Sequence, residues 1–163
     1  MKKVAQKGFT IVELLVVIVV IGILAAITMV SYSGVTTKAS TTAAQSNASS
    51  VKSVIETFYA DNGTSAGNGS WPADAAAVNT YSGTATALAK LPSSITLSAG
   101  TVALTAANGK TTVTYRPLAT AANGGCIAYF NFGTSTLNFF YVGAATTGTE
   151  GTTTAAGTIT ACS

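Results

Sequence analysis

Residues 7–27 read KGFTIVELLVVIVVIGILAAI, and they belong to a run, residues 9–30, of 22 residues in which Glu13 is the only charge. As an α-helix that run is about 33 Å long, enough to cross the hydrocarbon layer of a bilayer. A carboxylate inside such a helix is unfavourable by roughly 2.5–3.5 kcal/mol on insertion scales, so Glu13 needs a partner or a function. Any fold for this chain has to place a spanning helix first and account for that charge.

The net charge of +3 is carried by the N-terminal tip. Lys2, Lys3 and Lys7 precede the apolar run, and beyond Gly8 five basic residues face five acidic ones. By the positive-inside bias the tip stays in the cytoplasm and the remainder is exported, so the inner membrane is the first partner. With one arginine and no basic stripe in the exported part, nucleic-acid binding is not expected.

An ordinary secretory signal has a shorter apolar stretch and a small-residue cleavage site after it. Here the small residue, Gly8, comes before the stretch. Cleavage after Gly8 would remove the lysines, keep the helix, and create an ammonium group on Phe9 one helical turn from Glu13. The plainer alternative is a signal-anchor helix in which Glu13 is tolerated near the interface.

Lys7-Gly8 followed by Phe9-Thr10-Ile11-Val12-Glu13-Leu14 and then LLVVIVVIGILAAI resembles the type IV pilin family, pseudopilins included, over about the first 30 residues. The resemblance implies a prepilin peptidase that cuts between Gly8 and Phe9 and methylates the new N-terminus. It makes Glu13 the assembly glutamate and a pilus assembly machinery the partner. It also implies an α+β fold, with a long N-terminal helix packed on a four-stranded antiparallel sheet. An ammonium and a carboxylate attract strongly in a low-dielectric bundle. With an axial stagger, Glu13 of one copy would meet Phe9 of the next, and a contact that repeats without closing makes a helical filament. One departure is Val30, which stands where many members have a helix-kinking proline eight residues after Gly22.

The expected organisation is a leader at 1–8, a membrane or filament-core helix at 9–30, its amphipathic continuation at 31–60, a connection at 61–93, and a sheet with a C-terminal region at 94–163. Ala44, Ala48, Val51, Ile55 and Phe58 recur with helical spacing. Short helices are expected near 73–78 and 85–89. Asn108-Gly109 reads as a hairpin turn between 94–105 and 110–117, and Gly133-Thr134 as a second one, which gives four antiparallel strands. Tyr129, Phe130, Phe132, Phe139, Phe140 and Tyr141 are read as sheet core rather than a stacking platform for bases.

Cys126 and Cys162 lie on the exported side, where disulfides persist, and without a histidine in the chain they make no ordinary zinc site. They are either bridged or free thiols; the pilin resemblance implies a cysteine-bounded C-terminal region. Residues 143–161 are too poor in large apolar side chains to order themselves. Asn47, Asn62 and Asn68 open glycosylation sequons, which turn chemistry explains as well. No phosphate loop, acid pair or metal cluster is present, so neither catalysis nor a cofactor is expected. The reading is a self-polymerising structural subunit of an extracellular pilus. A pseudopilin of a secretion or DNA-uptake machine, or a monomeric membrane-anchored binding module, are the alternatives.

Overall fold

The computed structural model describes residues 8–61, 69–119, 123–153 and 156–163. The first helix, α1, is Ile11–Asp61, and it contributes to two compact units, one up to Thr37 and one comprising Lys38–Ser163.

In the second unit the expected stripe packs the helix onto a sheet. Ala44, Ala48, Val51 and Ile55 are all buried, with Val54 beside them. The two alanines let the sheet approach the helix backbone closely, while Val51 and Ile55 fill the space farther along. Phe58 ends the stripe, edge-on to Tyr81 at a centroid distance of 5.2 Å. Two polar contacts fix the register: the Phe132 N–H donates to Thr41 Oγ1 at 3.1 Å, and Asn47 Nδ2 donates to the Lys110 carbonyl at 2.7 Å.

Helix α2, Ala75–Gly83, is capped by Asp74, whose Oδ1 accepts from the Ala77 N–H at 2.7 Å. Ala75 and Val78 bury against the same core. The second short helix expected near 85–89 does not form; that stretch is turns and bends.

Four strands, β1 (Thr96–Ala99), β2 (Thr112–Pro117), β3 (Gly124–Asn131) and β4 (Thr136–Gly143), lie in the order β1-β2-β3-β4. The β2–β3 and β3–β4 pairs are antiparallel as expected. The β1–β2 pair is parallel, with Thr96 opposite Thr112, which corrects the expectation of an Asn108-Gly109 hairpin and an all-antiparallel sheet. The physical reason is Leu104. It is fully buried with Ala128, Phe130, Leu137 and Ile159 on the sheet face away from α1, so residues 100–111 cross over that face and return to the start of β2. Parallel neighbours require such a crossover. Asn108-Gly109 turns the chain inside it, with the Thr112 N–H donating to the Asn108 carbonyl at 2.9 Å.

Strand β3 is thus covered on both faces and buried along nearly its whole length. Its aromatic residues divide between the two cores, which leaves no continuous platform: Tyr129 packs with Phe140 at 5.5 Å, and Phe130 with Phe132 at 5.0 Å.

The C-terminal region also departs from expectation. Instead of lacking order of its own, it forms an antiparallel pair, β5 (Gly148–Thr153) and β6 (Ala156–Cys162). Threonine suits a pleated strand, and a single large apolar residue, Ile159, is enough to anchor the pair. Ile159 buries in the second core, and its carbonyl accepts from Arg116 Nη1 at 2.6 Å.

Tyr115 is 1% exposed between α2 and the sheet, and its hydroxyl donates to the Pro72 carbonyl at 3.1 Å. Burial, and then the negative charge of Asp74, push its ionisation above the usual tyrosine value of 10.0. The fold therefore favours the neutral phenol. Its stabilising contribution is complete below about pH 10 and is lost as pH rises toward the folded-state value. In denaturant titrations of the full chain in micelles, Tyr115→Phe should lower stability by about 1 kcal/mol at neutral pH and flatten the alkaline loss. An unchanged alkaline slope would exclude Tyr115 as its source.

Candidate functional site

The start of α1 gathers Gly8, Phe9 and Glu13. Residues 8–10 are non-helical and α1 begins at Ile11. Thr10 occupies the N-cap position and Glu13 the third helical position. The Thr10 N–H and the Thr10 hydroxyl both donate to Glu13 Oε2 at 2.8 Å, and the Glu13 N–H donates to Thr10 Oγ1 at 3.3 Å. This is a reciprocal capping box, which satisfies donors that the first turn of a helix otherwise leaves open. Glu13 therefore has a local partner that the reading of a lone charge did not supply. Its sequence signal is Thr-x-x-Glu just before an apolar run.

Glu13 Oε1 takes no hydrogen bond from the described residues, so half of the carboxylate is open to an outside group. Phe9 is 83% exposed, and nothing lies within 4 Å of where a Cβ on Gly8 would stand. Among the described residues, nothing packs against the Gly8–Phe9 peptide bond on the Gly8 side. While the leader is attached, the Phe9 nitrogen is a peptide amide, and the ammonium expected to face Glu13 exists only after cleavage.

Beyond Glu13 the helix is apolar all round. Leu14, Leu15, Val16, Val17, Ile18, Val19, Val20 and Ile21 are each about half or more exposed, and they cover every face. A helix of this kind needs a membrane or other apolar helices around it. It is long and apolar enough to cross a membrane. It continues through Gly22, position 30 and Gly34 without a break. The Thr28 hydroxyl donates to the Ala25 carbonyl, and those of Thr36 and Thr37 both donate to the Ser33 carbonyl, each at 2.9 Å.

The two cysteines form a disulfide that joins Cys126 in β3 to Cys162 in β6, with Cα atoms 5.8 Å apart. Of the three sequons, Asn47 has its amide nitrogen bound to the Lys110 carbonyl, and Asn62 and Asn68 lie outside the described residues.

The same N-terminal stretch decides the comparison with known proteins. Residues 3–29 match the family model described as the prokaryotic N-terminal methylation motif. This chain carries that motif. The chain is 40% identical over 77 residues to the fimbrial protein EcpC of Eikenella corrodens, covering 47% of this chain and 46% of the relative. It is 40% identical over 75 residues to the type IV major pilin protein PilE1 of Neisseria gonorrhoeae, covering 42% and 46%. A fimbrial protein of Pseudomonas aeruginosa is 46% identical over 52 residues, covering 32% and 34%. The resemblance to type IV pilins drawn from residues 7–27 is thereby borne out. The chain spans about half the length, or less, of the curated relatives it matches. No solved structure matches it significantly.

Proposed function

We propose that this chain is the structural subunit of an extracellular type IV pilus. It is made as a membrane-anchored precursor with its N-terminus inside, cut after Gly8 by a prepilin peptidase, methylated on Phe9, and stacked by a pilus assembly machinery into a helical homopolymer. The observation that carries this reading is the Glu13 carboxylate at the exposed start of a wholly apolar helix, with one oxygen held by Thr10 and the other open. The Phe9 ammonium of a neighbouring copy is the complementary group, and in an apolar bundle each charge is costly alone. The methylation motif and the pilin and fimbrial names of the relatives support the same assignment. The sheet-bearing unit, with few charges and many hydroxyls, would then form the filament surface.

Processing tests this first. Gly8→Leu puts a branched side chain at the open position beside the scissile bond. The variant should insert in the membrane with its lysine leader attached and give no surface filaments. The wild-type subunit recovered from sheared surface material should begin at Phe9 with a methylated amine by mass spectrometry. A surface subunit that began at Met1 would overturn the proposal, and wild-type chain that remained wholly in the membrane would favour an anchored module instead.

A further inference from the structure

Two Asn-Gly steps lie among the described residues in opposite surroundings, Asn108-Gly109 in the crossover and Asn123-Gly124 at the start of β3. The dipeptide is chemically labile because a glycine nitrogen, with no Cβ beside it, is free to reach the asparagine side-chain carbonyl. The glycine nitrogen gives up its proton and bonds to Cγ, and the Cγ–Nδ2 bond breaks as ammonia leaves. Water then opens the five-membered imide to aspartate or to isoaspartate. The step requires a side-chain amide that can swing onto the next nitrogen.

Asn108 cannot do so in its turn. Its Oδ1 accepts from the Thr105 N–H at 2.7 Å and from the Thr105 hydroxyl at 3.2 Å, and its Nδ2 donates to the Ala103 carbonyl at 3.0 Å. The attacking atom is engaged as well, because the Gly109 N–H donates to the Thr105 carbonyl at 2.8 Å. Asn123 is held only by its main chain, whose carbonyl accepts from the Ala144 N–H at 2.7 Å. Its side chain is exposed and makes no hydrogen bond with any described residue. The glycine after it is needed by the backbone. Gly124 has φ +124°, and a Cβ there would run into the Val142 carbonyl oxygen and Gly143 Cα. The fold thus retains the reactive dipeptide at 123–124 for reasons of packing and leaves its amide unguarded.

We propose that Asn123 is a site of spontaneous amide loss on the folded sheet, and that Asn108, in the same dipeptide, is protected by its turn. The product has two consequences. One new carboxylate tips the balanced charge of the chain beyond Gly8 to net negative. The isoaspartyl form adds a methylene to the main chain where the Asn123 carbonyl meets the Ala144 N–H, at the open end of the β3–β4 pair.

Site-resolved peptide mapping tests this. The full chain in detergent micelles is aged at mildly alkaline pH, digested at acidic pH, and the aspartyl and isoaspartyl peptides are quantified; a denatured sample serves as control. In the folded chain Asn123 should lose its amide faster than Asn108 by about tenfold or more, and on unfolding the two rates should converge to within about twofold. Asn123→Gln, which would require a larger ring, should abolish the signal at 123 and leave 108 unchanged. Equal rates in the folded chain, a faster Asn108, or an unreacted Asn123 once the denatured control has reacted would each overturn the proposal.

Discussion

Glu13→Val in the full chain should leave membrane insertion and cleavage intact and abolish surface filaments almost completely. Removing the carboxylate relieves roughly 2.5–3.5 kcal/mol of insertion penalty, so less precursor in the membrane is not the expected outcome. What disappears is the group proposed to set the register of one subunit on the next. The capping box supplies a rival account, in which Glu13 only closes the first turn over Thr10. Thr10→Val separates the two: it removes the hydroxyl of the cap at a cost of about 1 kcal/mol but keeps the carboxylate. If Glu13 acts between subunits, Thr10→Val should retain most filaments and Glu13→Val almost none, counted by electron microscopy of sheared surface material. Equal losses would assign Glu13 to the cap, and normal filaments from Glu13→Val would end the register role. In mixed filaments, Glu13→Val in one subunit type alone tells a partner in the same copy from one in the neighbour.

Cys162→Ser should have the second largest effect. The bridge has a sequence separation of 36 and contributes roughly 3–4 kcal/mol in the chain-entropy model. Its loss frees β6, and with it Ile159 and the carbonyl that holds Arg116. The second core would open around Leu104 and Phe130, while the core under α1, with Val51, Ile55, Ile127 and Tyr129, has no member in β5 or β6 among the described residues. Limited proteolysis of the full chain in micelles should therefore cut within 143–161 and spare β2 to β4. Equal digestion of wild type and variant would show that the bridge has no structural role.

Much of this architecture was legible before any coordinates. The long apolar helix follows from length and composition, and the Ala44, Ala48, Val51, Ile55 stripe follows from helical period, because burial on one face leaves a repeat in the sequence. The β3–β4 pair was marked by its aromatic strands and a glycine between them. The misreadings share a cause. Asn-Gly signals a turn but not what the turn joins, and the burial of Leu104 on the far face of the sheet made it part of a crossover. The tail looked too polar to order because its anchors are a covalent bond and one isoleucine rather than a pattern. At the candidate site the chemistry proposed for Gly8, Phe9 and Glu13 rests on the residue types themselves. The Thr10 cap is written in the sequence as Thr-x-x-Glu, a pattern that the charge inside the apolar run overshadows.

The parallel pairing of β1 with β2 bears on the order in which the chain can fold. Within the four-stranded sheet the β3–β4 pair closes through the shortest loop, residues 132–135, so it is the cheapest nucleus of that sheet in loop entropy; β1 gains a partner only after residues 100–111 have been laid across the sheet. The helix contact is more distant still, since Thr41 meets Phe132 across 91 residues. At synthesis rates of about 5–20 residues per second, roughly 2–18 s separate the appearance of the Val51 and Ile55 stripe from that of the strands that cover it. During that interval the stripe is an uncovered apolar surface on every nascent copy, and premature sticking between chains is the hazard that this topology builds in.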